Sequence, residues 1–221
     1  MEMKTKVLEE IEKLRNTGKI DDNTYRKLKK VVENPIEIDL GKIFEKYGVS
    51  SNDLVLDIAA GGSGTGPKIL GKNVIALDVS KEEIFSAIKE GAFAQWICAD
   101  ARNLPFRNDL LDFVITFVGL AYINGNKDKF AVLKEAYRVL KENGLILLIE
   151  PEIVDCQDYM KYFVIYKDGI KINETILGVS GTNIAQSLEL LTNFLKNVGF
   201  EVNAEKTDDL LIIVGRVKFS R

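Results

Sequence analysis

Five short, nearly uninterrupted apolar runs constrain this 221-residue chain more than any other feature: 54–58 (LVLDI), 74–78 (VIALD), 96–100 (WICAD), 113–117 (FVITF) and 145–150 (LILLIE). Runs of this length and texture read as strands of a parallel sheet covered on both faces. Helical stretches separate most of them, the clearest at 81–91 and 127–140. Such alternation builds a parallel sheet with right-handed crossovers. Beyond Pro151 the pattern changes. Residues 162–166 and 170–174 flank Lys167-Asp168-Gly169, a strong hairpin-turn signal. Ser180-Gly181-Thr182-Asn183 offers caps for a helix over 184–197, Gly199-Phe200 starts a sixth core strand, and Asp208-Asp209 turns into a seventh over 210–217. The expectation is an α/β fold: a seven-stranded, mostly parallel sheet with helices on both faces and the last strand antiparallel.

The first 36 residues read differently. Val7, Leu8, Ile11 and Leu14 recur at helical spacing, Gly18 can end that helix, and Asp21 or Asp22 can cap a second one marked by Tyr25, Leu28 and Val32. Asn34-Pro35 stops it. We read 1–36 as a helical hairpin, serving either as a packing element or as a lid, and 37–221 as one domain with a hairpin inserted at about 159–176. A short helix near 40–47 joins the two.

Composition removes several chemistries. The chain has no histidine, so Ser-His-Asp and Cys-His triads, histidine-ligated zinc and histidine bases are out. Cys98 and Cys156 make neither a disulfide framework nor a metal-ligand pattern, and no metal is expected. The net charge of −3 is spread without a basic block, so nucleic acid is not an expected partner. The charged N-terminus lacks a signal-peptide core, and no apolar run reaches the ~20 residues of a membrane span. A cytoplasmic location with no membrane partner is expected; oligomeric state is open.

Ligands of open α/β sheets bind beyond the carboxyl ends of the strands. Here the first run ends in Asp57-Ile58-Ala59-Ala60-Gly61-Gly62-Ser63-Gly64-Thr65-Gly66, the second in Asp78, the third in Asp100 and the fifth in Glu150-Pro151. Glycines let a backbone approach a ligand closely. Asp78 follows Gly61 by 17 positions (61 to 78), close to the ~20 at which an acid meets ribose hydroxyls in dinucleotide-binding turns. The ligand therefore contains a nucleoside, and Asp100 could accept from an adenine amino group.

The segments VLDIAAGGSG, NVIALDVSKEEIFSAI, ADARNLPFRNDLLDFVITF and EAYRVLKENGLILLIE, in this order, resemble the class I S-adenosylmethionine-dependent methyltransferases, especially the small-molecule branch that includes the ubiquinone/menaquinone enzymes. The resemblance covers nearly half the chain. It implies a Rossmann-like domain, S-adenosyl-L-methionine as cofactor and a small-molecule methyl acceptor of unknown identity. It also implies roles: Asp57 and the loop Gly61, Gly62, Gly64, with Ala59, at the methionine end; Asp78 on the ribose; Val79, Asp100 and Ala101 around the adenine; and Phe117, within 116–118, near the sulfonium. Ala59 stands where the family usually has its first glycine, and Ser63 where it has its last. Ser80-x-x-Glu83 reads as a capping box, and Leu104-Pro105-Phe106 and Arg138-Val139-Leu140 as packing.

Methyl transfer is an in-line displacement in which positioning alone can contribute ~7–11 kcal/mol. No catalytic residue is assigned; if a base is needed, Glu150, Glu152 and Tyr122 are the candidates. Tyr159, Tyr162, Phe163 and Tyr166 either line an apolar acceptor site or pack on the sheet, the second reading being favoured. A nicotinamide oxidoreductase lacks support, since residue 67 is Pro where a third glycine is needed. Two further alternatives are an RNA or protein methyltransferase, which the sequence Phe117-Val118-Gly119-Leu120 argues against in its common adenine- and amide-nitrogen forms, and a non-catalytic cofactor-binding protein.

Overall fold

A computed structural model describes residues 3–154, 158–181, 184–207 and 210–218. Its centre is a seven-stranded sheet formed by β2 (Val55–Ile58), β3 (Ile75–Asp78), β4 (Gln95–Cys98), β5 (Leu111–Phe117), β6 (Leu140–Pro151), β9 (Phe200–Lys206) and β10 (Leu210–Val217). The spatial order is β4-β3-β2-β5-β6-β10-β9. The first five run parallel, and β10 is antiparallel to both of its neighbours. The expected sheet is thus the observed one. β2 and β3 are buried along their whole length because both faces are covered, which is why they are apolar throughout.

The two covers differ. On one face lie α6 (Asn126–Val139) and α7 (Leu188–Val198), whose Leu133, Ala136, Leu191 and Leu195 pack against Leu56, Val114, Leu148 and Ile213 of the sheet. On the other lie α3 (Leu40–Lys46), the short α4 (Thr65–Leu70) and a second, three-stranded sheet. That second sheet has the order β1-β7-β8, from β1 (Ile36–Asp39), β7 (Asp158–Lys167) and β8 (Ile170–Ser180). β7 and β8 are the expected hairpin, and Asp168 and Gly169 both take positive φ (53° and 77°), as a two-residue primed turn requires. Asp39 fixes this turn: its carboxylate accepts from the N–H groups of Asp168 (3.2 Å) and Gly169 (3.0 Å) while capping α3.

β1 is a departure from the sequence reading. Ile-Glu-Ile-Asp follows Pro35 with strand-like alternation, and it pairs in parallel with Phe163–Tyr166. Helices α1 (Met3–Asn16) and α2 (Asp22–Glu33) form the expected hairpin, with Asp21 accepting from Thr24 N at 2.7 Å as the cap. Helix α7 begins four residues later than expected, with Ser187 as its cap, because Gln186 is drawn into a bridge with Ile153. The expected caps Thr182 and Asn183, the turn at Asp208-Asp209 and Cys156 lie outside the described residues. Among the described residues, no helix is long and apolar enough to cross a membrane.

Candidate active site

Strands β2, β3 and β4 end side by side, and the acids at their ends, Asp57, Asp78 and Asp100, all face one cavity of about 720 Å³. That volume falls within the roughly 300–1,000 Å³ of small-molecule sites. Ala59, Gly61, Gly62, Val79, Ala101 and Phe117 line it too. Gly64 does not. It takes φ 54° at the start of α4, and a side chain there would collide with Ala92 and Ala87, so packing against α5 (Lys81–Lys89) and the segment behind it, not ligand approach, demands glycine.

The loop is held from below by Asp78. Its Oδ2 accepts from Gly61 N at 2.9 Å, and its Oδ1 accepts from Ser80 N at 2.9 Å. Ser80 caps α5 by accepting from Glu83 N, but the reciprocal half of the capping box is absent. Glu83 instead reaches back against Gly62 and lines the cavity. Gly66 is required by Asp57, whose carboxylate occupies the space a side chain would take.

Asp57 is 3% exposed, and among the described residues no donor is directed at its oxygens. Burial, helped by the neighbouring Asp78 charge, pushes its carboxyl up to about 8. Asp100 is in the opposite state. The Arg102 guanidinium grips both of its oxygens at 2.6–3.0 Å and holds the carboxylate below its usual range. Arg102 also reaches Asp128 on α6 at 2.6 Å, tying the end of β4 to that helix across the mouth of the cavity.

Two residues carry backbone strain toward the cavity. Ala59 and Val118 both take φ 53°, a region unfavourable to any side chain and more so to a β-branched one. Ala59 occupies the position where the resemblance calls for glycine, and the backbone there indeed adopts the conformation that glycine tolerates. Val118 is held by its neighbours. Glu150 Oε1 accepts from Thr116 Oγ1 at 2.8 Å and from Leu120 N at 3.0 Å, bracketing the turn.

Glu150 is thereby corrected as a candidate base. It is fully buried, it does not line the cavity, and its second oxygen accepts from Gln186 Nε2. Burial pushes its carboxyl up to about 7. Gln186 in turn accepts from the buried Lys129 at 2.9 Å, so the group belongs to a structural network behind β5 and β6. Glu152 is also outside the cavity, paired with Lys206. Tyr122 alone of the three faces the cavity. None of Tyr159, Tyr162, Phe163 and Tyr166 lines it; Tyr162 and Phe163 are core residues, and Phe163 meets Phe117 edge-on at 5.5 Å, buttressing the ring that does.

The hairpin supplies the lining that sequence reasoning missed: Glu174, Thr175 and Ile176 of β8, with Met3 of α1 beside them. Asn173 anchors β8 to the loop, donating to Ser63 O (3.1 Å) and Thr65 Oγ1 (2.8 Å). Nothing in the local sequence marks Asn173, because its role exists only once the second sheet has docked.

An open parallel sheet with a glycine turn after its first core strand and acids closing the next two is the arrangement of a nucleotide-binding α/β fold. Comparisons with known proteins agree. Residues 56–148 match the family model described as methyltransferase domain. The chain is 28% identical over 182 residues to the ubiquinone/menaquinone biosynthesis C-methyltransferase of Rickettsia felis, covering 72% of each. In fold it is similar to an S-adenosylmethionine-dependent methyltransferase from Methanosarcina mazei, with a TM-score of 0.60 at 17% identity, covering 83% of this chain and 100% of that one. A (4+2)-cyclase shares the architecture too, with a TM-score of 0.59 at 14% identity over 82% of this chain and 80% of that one. Residues 56–148 thus carry a methyltransferase domain, and over a longer stretch the chain resembles the ubiquinone/menaquinone C-methyltransferases.

Proposed function

We propose that the cavity binds S-adenosylmethionine along the ends of β2, β3 and β4 and transfers its methyl group to a small, uncharged and largely apolar acceptor. The observation that carries this is the convergence of Asp57, Asp78 and Asp100 with a glycine loop on one cavity. A carboxylate at the cavity wall with no protein donor among the described residues, beside a glycine cradle, suits the amino-acid end of the cofactor; Asp78 would take the ribose and Val79 and Ala101 the adenine faces. When bound, the cofactor supplies an electrophilic methyl group. The protein's part is placement: Phe117 and the strained turn at Val118 form the wall nearest the transfer, with Phe163 behind it.

The acceptor's class is read from the remaining wall. Phe117, Val118, Ile123 and Ile176 are apolar. Arg102 is the single cation among the described lining residues, and it is already paired with two aspartates. An acceptor bearing a phosphate or carboxylate inside the cavity would meet no free counter-charge. The curated relative's quinone-pathway substrate fits this polarity, which is why the small-molecule reading is preferred to RNA or protein. We also propose that α1, α2 and the β1-β7-β8 sheet act together as the cap that completes the acceptor side.

Titration calorimetry with S-adenosylhomocysteine, followed by transfer of labelled methyl to neutral aromatic, anionic aromatic and tRNA acceptors, tests the proposal. Product-cofactor binding in the low micromolar range and transfer only to the neutral set is expected. Absence of binding at high micromolar concentration, or transfer to tRNA alone, would overturn it.

A further inference from the structure

We infer, building on the cofactor reading above, that Asp57 holds a proton while the cavity is free of ligand and gives it up when the ammonium of the cofactor's amino-acid end arrives, so that each binding event releases one proton to solvent. The balance is simple. A neutral carboxylic acid and an incoming cation become an ion pair, and the displaced proton leaves.

The geometry argues for this before any titration is considered. Asp57 and Asp78 end adjacent parallel strands and have equivalent exposures, 3% and 8%, yet opposite environments. Asp78 accepts two backbone N–H groups. Asp57 has no donor among the described residues, and its carboxylate is set against Gly66 of α4. A buried anion without donor or counter-ion is among the most costly arrangements in a protein, and such a group ordinarily avoids the cost by taking a proton.

The charged groups around the cavity do not relieve it. From β3, Asp78 adds a negative charge. On α5, Glu83 lies against Gly62 and is also acidic. Arg102, past β4, is engaged by Asp100 and by Asp128 of α6. Lys68 of α4 points at Glu90 and Asn173, and Glu174 of β8 pairs with Lys171. The missing counter-charge is therefore one the ligand must bring. Burial pushes the Asp57 carboxyl up to about 8, so the protonated form dominates at neutral pH.

Calorimetric titration of the full chain with S-adenosylhomocysteine at pH 7, in phosphate and in Tris, reads the proton directly, because the two buffers differ in heat of ionisation. A slope corresponding to about one proton released is expected, and the dissociation constant should tighten about ten-fold from pH 6 to pH 7. In D57N the slope should fall to near zero and affinity should become flat over that range. Measurable binding by the natural sequence with no buffer dependence would overturn the inference while leaving the cofactor reading intact. Proton release persisting in D57N would overturn it as well, by assigning the proton elsewhere. No binding at all would bring down the cofactor reading and this inference with it.

Discussion

Asp78 Oδ2 accepts the N–H of Gly61 at 2.9 Å, so the same carboxylate that faces the cavity also fixes the loop on the cavity's other side. Replacing it should therefore cost twice, once in the ligand contact and once in loop order. Asp78→Ala is expected to weaken S-adenosylhomocysteine binding by about 1–3 kcal/mol, the scale of a lost charge-assisted hydrogen bond. Calorimetry measures this, and an unchanged affinity would remove Asp78 from the site.

The turn at 116–120 should tolerate no added atom. A methyl group on Gly119 would come within 2.6 Å of Thr116 Oγ1, 2.9 Å of Ile58 O and 3.0 Å of the Ala59 side chain. Gly119→Ala is expected to lower stability by about 1–3 kcal/mol through overpacking. Ala59→Gly should do the reverse, gaining up to about 1 kcal/mol by relieving a positive φ. Thermal unfolding of both variants is the check; equal melting temperatures would mean that neither clash nor strain is real.

Asp57 makes the ligand-free protein less stable as pH rises. Its folded carboxyl sits at about 8, above the ordinary 3.8, so the native state binds the proton more tightly than the unfolded chain. The stabilising contribution is complete below the unfolded value and is lost as pH climbs from about 4 to 8. Asp57→Asn, which cannot ionise, is expected to melt near the parent at pH 4 and clearly above it at pH 8, without ligand. A constant difference across that range would contradict the assignment.

Arg138 joins two segments that the sequence marks only as packing. Its guanidinium donates to Phe106 O (2.8 Å), Leu104 O (3.1 Å) and Asn108 Oδ1 (2.9 Å) while paired with Glu135. Glu135 in turn accepts from Leu104 N at 2.8 Å. Arg138→Met should cost about 1–3 kcal/mol in denaturant unfolding yet leave cofactor affinity alone. A large loss of affinity at unchanged stability would instead place the 104–108 loop in the site.

Most of the core sheet was legible because burial on both faces leaves an unbroken apolar run, and the acid closing such a run is easy to see. The seventh strand fell at Leu210–Val217, as its composition indicates. Elements stabilised from a distance were not legible. β1 is four residues long and exists because β7, more than a hundred residues later, offers it an edge. The start of α7 was misplaced because Gln186 is taken by Pro151 O and Glu150. The same holds for the site. Asp57, Asp78 and Asp100 announce themselves at strand ends, whereas Glu83, Arg102 and Thr175 reach the cavity through helix phase, ion pairing and hairpin docking. Glu150 misled because an acid at a strand end can point into the core as readily as into the cleft.

The pairing of β1 with β7 has a consequence for how the molecule is made. Ile36–Asp39 emerges from the ribosome early, but the edge it needs, Phe163–Tyr166, is translated much later. Until then the N-terminal helices have no sheet to rest on, and closing so long a loop is slow. Synthesis from the N-terminus therefore completes this second sheet late, and a nascent chain stalled before residue 158 would leave the glycine loop and its acids exposed to solvent.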